Sequence, residues 1–352
     1  DIFLEKLRTF DGSISVTAGG TITAALVESF TDSDANDISL TTTTGDILGD
    51  AILAGSQGDV TLDAAAAIMA TVTADTLEAL AGGPVTLATT VTSLDAETAA
   101  AGNIIIAESA DIFLETLRTF DGSIAVTAGG TVTAALVESL TDSDDNDIVL
   151  TSTAGTIQGD TILAVSQGDV ILDAAQTISA TVTADELIAR ATGDIALNTT
   201  VTRLDAQTLA TGDIFITETD AIALDNVQTA DGSITVIAAG SIDAAQIVAG
   251  VGNDVTLQSN GVVAATVTGG ELTVLTAGDI TLTTLVESLD AETTAVGNIS
   301  ITETDDIFLE KLRTFDGSIS VTAGGTITAA LVESFTDSDA NDISLTTTTG
   351  DI

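Results

Sequence analysis

The sequence predicts an all-β chain folded as a right-handed parallel β-helix, a β-solenoid built from roughly 19–25-residue turns. Three observations predict it. The decapeptide DIFLEKLRTF at 1–10 returns letter for letter at 306–315, with a near copy, DIFLETLRTF, at 111–120 and a diverged one, AIALDNVQTA, at 221–230. A corner of Gly or Asn and a small residue, followed by two aliphatics at alternate positions, recurs sixteen times from GSISV (12–16) to NDISL (341–345). The shortest intervals are those such as Gly83 to Gly102 and Gly193 to Gly212, and the longest those such as Gly58 to Gly83 and Gly168 to Gly193. Between the corners β-branched Val, Ile and Thr dominate, which suits pleated strands. Internal periodicity of this length marks a solenoid, whose turns bury a core only by stacking.

The corner comes first. Gly or Asn there suits a left-handed backbone conformation that other residues resist. The strands come next. In GNISITETDDIFLEKLRTFD (297–316) Ile299 and Ile301 alternate with polar neighbours, Ile307 and Leu309 do the same after the ETDD corner, and Leu312 begins a third apolar position. Period-two alternation turns those aliphatics inward. Three short strands per turn result, with the hand favoured for parallel crossovers and turns about 4.8 Å apart. A helix-containing solenoid draws support only from Ala-rich pieces such as LDAAAAIMA. A left-handed hexapeptide helix would hold a rigid period, and the leucine-rich-repeat pattern with its fixed Asn is not met.

The corners group into modules. Residues 12–121 and 122–231 each hold five intervals and match in length, 232–316 is one turn shorter, and 317–352 begins a further 305-residue copy. Residues 1–11 match the end of a preceding copy, so 1–352 reads as one continuous solenoid. The chain opens halfway round one turn and closes partway through another without polar caps. It therefore reads as an uncapped window of a tandem array, with head-to-tail stacking of copies as the runner-up.

Composition bounds the partners. There are 53 acidic residues against 7 basic ones, a net charge of −46. Nucleic acid and anionic lipid would be repelled by such a surface. No apolar run is long enough for a membrane span, so no membrane insertion is expected. With no Cys and no His, nucleophilic triads and the common transition-metal sites are missing. The nine Phe are too few for sugar platforms, and packing at repeated corner positions is the expected explanation of several. An active site is needed once, whereas these units are copied, so no enzyme is expected. Thr-rich faces such as TTTTGD (41–46) raise ice binding, but such ladders need turns of constant length.

The GDI-x-L-x-T and GSI-x-V-x-A-x-G turns resemble those of filamentous haemagglutinin-type exoproteins and related giant repetitive bacterial surface proteins, along the entire chain. The resemblance implies a secreted or surface-attached fibrous adhesin of bacterial type. Its repeats would form a stiff acidic filament or stalk, or a calcium-assisted adhesin that binds cells or glycans.

The sharpest local pattern is TDSDAND (31–37), echoed as TDSDDND (141–147) and repeated at 336–342. Asp32, Asp34 and Asn36 stand at positions one, three and five of a calcium loop, as do Asp142, Asp144 and Asn146, and Asp337, Asp339 and Asn341. Asp37 and Asp147 occupy the position of the loop's Gly, and Thr43 and Thr153 that of its bidentate Glu. Ca2+ at these acids is weighed against a plain solvated corner, and no cofactor is required. Stacked corners would also align Asp147, Asp169, Asp194 and Asp213 in one column. Such a column is tolerable where the side chains cap backbone N–H groups or where cations sit between them.

Overall fold

A computed structural model of the chain describes every residue except 32, 142, 144, 166 and 337–339. The fold is a parallel β-solenoid of about 17 turns, with 34 strands and no helix among the described residues. Two compact units, Asp1–Asp185 and Glu186–Ile352, divide the chain.

In the first unit the strands of each turn lie on two faces. Face two is split in the opening turns into Ile2–Leu4 and Leu7–Thr9, then Ile22–Ala24 and Val27–Ser29, the latter two both pairing with the single strand Ile47–Leu53 of the third turn. On face one Ile14 pairs with Ile38, Ile38 with Val60, Val60 with Leu77, Leu77 with Leu94 and Leu94 with Leu114, all in parallel register. On face two Ile2, Ile22, Ile47, Ile68, Val85, Ile104, Ile124, Ile148 and Val170 stack in the same way. Alternation holds along the strands: Val60–Ala64 reads buried at Val60, Leu62 and Ala64, and Ile104–Glu108 at Ile104, Ile106 and Glu108. Ile22, Ile38, Leu40, Ile47 and Leu62 have no exposed surface, and each such side chain contributes about 1.5–3 kcal/mol by burial.

The second unit repeats the plan. Ile195, Ile214, Ile234, Val255, Leu272 and Leu289 stack on one face. Ile222, Ile242, Val263, Ile280, Ile299, Ile319 and Ile343 stack on the other.

Three expectations are corrected. Most turns carry two strands where three were expected, but the opening turns keep three: Ile2–Leu4, Leu7–Thr9 and Ile14–Ala18, then Ile22–Ala24, Val27–Ser29 and Ile38–Thr42. The shift from Ile307 and Leu309 to Leu312 comes from an extra residue within one strand, Ile307–Asp316: Leu289 pairs with Leu309 and Asp290 with Lys311, so Glu310 bulges out. Turn length is the second. It falls to 17 from Leu77 to Leu94, below the expected minimum, and rises to 25 from Ile22 to Ile47. The long interval from Gly58 to Gly83 is not a turn at all. Val60 pairs onward with Leu77, while Val85 pairs back to Ile68 on the other face. The corner motif has changed sides.

The third correction concerns glycine. Positive φ occurs only at Gly12, Gly55, Gly122 and Gly252 among the described residues, and at no Asn. Most corner glycines answer to close approach instead. A Cβ on Gly232 would lie 2.1 Å from the Gly212 carbonyl oxygen, and one on Gly317 2.2 Å from that of Gly297.

The side change has a consequence for the modules. Ile14 lies on face one, and Ile124, at the same place in the next module, lies on face two. The first module therefore advances the chain by a whole number of turns and a half. In the second unit Ile234 and its module equivalent, Ile319, also occupy different faces.

Candidate functional site

The corners carry the chain's polar chemistry. At many of them a short polar side chain accepts a hydrogen bond from the backbone N–H one turn further on. Asp1 Oδ1 accepts from Thr21 N at 2.9 Å and Asp46 Oδ1 from Ala67 N at 2.9 Å. Asn103 Oδ1 accepts from Ser123 N at 3.0 Å. In the second unit Asp194 Oδ1 accepts from Asp213 N at 3.0 Å and Asp213 Oδ1 from Ser233 N at 2.8 Å. Asp147 Oδ1 likewise takes Asp169 N at 3.1 Å. A corner amide points along the axis where the chain bends away from the regular ladder, and a side-chain oxygen serves it there. The capping reading holds for Asp147, Asp194 and Asp213. Their expected single column does not: Asp185 N donates to Gly168 O at 2.9 Å, so the turn above Asp169 is entered at Asp185.

The acidic loops use their Asn residues as struts. Asn36 Nδ2 donates to Thr31 O at 2.8 Å and to Asp11 Oδ1 at 3.3 Å. Asn146 Nδ2 reaches Asp121 Oδ1 at 2.9 Å, and Asn341 Nδ2 reaches Asp316 Oδ1 at 2.8 Å. Hydrogen bonds from Asn341 and Thr336 hold the Asp316 carboxyl below its ordinary value. The third module, whose loop has lost the acids, keeps the strut: Asn253 Nδ2 donates to Asp231 Oδ1 at 3.0 Å. Asp37 and Asp147 each cap the next turn, and Asp34 is exposed in its loop. Asp32, Asp142, Asp144, Asp337 and Asp339 lie outside the described residues. Among the described residues no three His, Cys, Asp or Glu side chains gather in a metal-binding group.

Sequence reasoning missed three buried glutamates. Glu108, Glu218 and Glu303 occupy equivalent module positions and are at most 5 % exposed. Glu108 Oε2 accepts from Val91 N at 3.0 Å, while Oε1 accepts from Ser109 N at 2.6 Å and Ala110 N at 3.0 Å. Glu303 Oε2 takes Val286 N at 3.3 Å, and its Oε1 takes Thr304 N at 2.6 Å and Asp305 N at 3.3 Å. Each carboxylate thus stands in for a carbonyl of the ladder. Burial raises the Glu218 and Glu303 pKa values, and the backbone N–H donors oppose that rise. The signal was present as Ile-x-Ile-x-Glu, which places the acid at an inward position.

Outside, Asp95 is pushed up to about 6, first by burial and then by Glu97, Glu115 and Glu78 around it. The cations run in axial ion pairs. Arg118 lies between Glu97 at 3.6 Å and Glu138 at 2.9 Å, and Arg313 between Glu292 at 3.6 Å and Glu333 at 3.4 Å. Arg8 meets Glu28 at 2.6 Å, Lys311 meets Glu292 at 3.0 Å, and Arg203 pairs with Asp225.

Packing does not explain the phenylalanines, contrary to expectation. All nine are exposed: Phe120 by 54 %, Phe335 by 56 %. They sit at outward positions or just past the strand ends, where alternation gives them no core to enter. Phe315 and Phe335 stack with centroids 6.2 Å apart, and Arg313 lies 4.9 Å over the Phe335 ring, as Arg8 lies 4.8 Å over Phe30.

Where the turns are shortest the surface sinks. In the first unit a groove of about 670 Å³ is lined by Thr73, Thr90, Thr92, Asp111, Phe113 and Thr131. The second unit holds a smaller counterpart of about 330 Å³ at the equivalent Thr268, Leu285, Glu287 and Asp306.

Among the described residues no helix is long and apolar enough to cross a membrane. Comparison with protein-family models, with curated proteins and with solved structures finds no match.

Proposed function

We propose that this chain is a structural repeat region of a long extracellular filament or stalk, stiff, strongly acidic and without catalysis, carried on a bacterial surface. One observation carries the reading: the polar corner side chains are spent on the backbone of the next turn, so each rung templates its successor. A surface shaped for catalysis would instead leave a constellation of polar groups aimed at solvent. The aliphatic interior and the repetition of whole modules support the same role, since a spacer gains from copying and an active site does not. The charge keeps an edge-rich β-structure soluble and makes nucleic acid and anionic lipid poor partners. Force spectroscopy on a tethered chain tests it. Stepwise unzipping of turns at high force is expected, and extension at the few piconewtons of a flexible linker would refute the mechanical role.

Calcium-assisted adhesion by the repeats is the second reading. It is favoured by the acidic loops at 31–37 and 141–147, which lie at different corners of the first unit. Binding to cells or glycans that is indifferent to a chelator would remove it.

A further inference from the structure

The exposed phenylalanines and the scarce cations fall at the same places. Of seven Lys and Arg residues in the chain, five (Lys6, Arg8, Arg118, Lys311 and Arg313) lie on or beside strands that run into a corner bearing an exposed Phe. At the first corner Arg8, Phe10 and Phe30 are followed directly by the acidic loop with Asp34. At the second, Arg118, Phe120 and Leu140 are followed by the loop with Asp145. Phe10, Phe30, Phe120 and Leu140 are 43 to 80 % exposed. Each corner therefore sets a cation, an apolar surface and a block of carboxylates side by side in one order.

That order is self-complementary. Two such corners brought together about a two-fold axis place ring on ring, and set the arginine of each beside the acidic loop of the other. Elsewhere the surplus of 53 acids over 7 bases repels a second copy. At these corners arginine and glutamate neutralise each other locally, so the exposed rings stand beside paired rather than bare charge. The half-turn advance of the module adds direction. Phe10 and Phe30 lie where the chain passes from face two (Leu7–Thr9, Val27–Ser29) to face one (Ile14–Ala18, Ile38–Thr42). Phe120 and Leu140 lie where it passes from face one (Ile112–Asp121, Val132–Ser139) to face two (Ile124–Ala128, Ile148–Ser152). Within the first unit the two corners occupy opposite edges.

We infer that these Arg–Phe corners are docking sites for a second copy of the chain, and that their placement on both edges lets solenoids pack side by side. The inference goes beyond the filament role and stands independently of it, because it concerns lateral contact between chains in solution.

Sedimentation velocity on the full 352-residue chain in 150 mM salt, over a hundredfold range of concentration, tests it. The wild type should rise from 35.1 kDa to at least twice that mass. A variant with Phe10, Phe30, Phe120, Phe315 and Phe335 changed to Ser, together with Leu140→Ser, should remain a monomer with an unchanged β-sheet circular dichroism spectrum. Arg118→Glu alone, which spares every ring, should raise the dissociation constant at least fivefold. A wild type that stays monomeric throughout overturns the proposal, whether or not its rings prove necessary for retention on a glycan array. So does a six-site variant that folds and associates as the wild type does.

Discussion

Two kinds of acid behave in opposite ways here, and the difference lies in what each side chain touches. Corner aspartates face water and accept a backbone N–H, whereas Glu218 and Glu303 have been taken into the core, where burial disfavours the charged form. A carboxyl raised above its unfolded value contributes stability that is complete below the unfolded pKa. That contribution is lost as pH rises through the folded pKa. Glu303→Gln removes this dependence but leaves an NH2 group against a donor N–H, at a cost of about 1–2 kcal/mol at neutral pH. Hydrogen exchange at Val286 and Thr304 should then run roughly tenfold faster than in the wild type, since each 1.4 kcal/mol is about a factor of ten. Asp95 follows the same sign rule: its contribution is full below 3.8 and gone once pH has passed about 6. Glu97→Gln removes the largest like charge beside it. In a carboxyl NMR titration the Asp95 midpoint should then fall from about 6 towards 3.8 without reaching it, because burial remains the first cause. An unmoved midpoint would show that Glu97 is screened.

At the scale of the strand and corner, stability rests on caps and on close backbone contact. Asp213→Ala leaves Ser233 N without its acceptor and should cost about 1 kcal/mol, whereas Asp213→Asn, which keeps an oxygen in place, should cost far less. The exchange rate of the Ser233 amide measures both. Gly232→Ala forces a methyl to within 2.1 Å of the Gly212 carbonyl oxygen and should destabilise its turn by about 2–3 kcal/mol. Gly19→Ala, with open space around its Cβ position, should be near neutral, and denaturant melts of the two would show the contrast. The strands were legible because inward Ile, Val and Leu alternate without a break. The bulge at Glu310 was not, since a spacing of three between Leu309 and Leu312 reads equally as a bend between two strands. The glycine corners were found for the wrong physical reason: sequence shows that a side chain is absent, and only the stacked turn shows what it would have struck. Among the site residues, the Asn struts were found only as parts of a loop motif, because their partners Asp11, Asp121 and Asp316 lie 25 residues away across a turn.

For the whole molecule the decisive quantity is register, because it sets which side chains form a row and which edge each module presents. Counting corners gave sixteen turns where the structure has about 17. The discrepancy arises at the longest intervals, such as Gly58 to Gly83, where the motif crosses from one face to the other. Identical sequences in successive modules consequently face different ways, which no reading of the repeat alone revealed. Cysteine cross-linking tests this most directly, since the chain has no native Cys and parallel neighbours lie within disulfide reach at about 4.8 Å. Thr61 pairs with Glu78 in the structure, whereas stacking each corner on the next would pair it with Thr86. The double variant Thr61→Cys/Glu78→Cys should oxidise readily to an intramolecular disulfide and Thr61→Cys/Thr86→Cys should remain reduced. A bridge in the second variant and none in the first would contradict the register, and with it the half-turn advance of the modules.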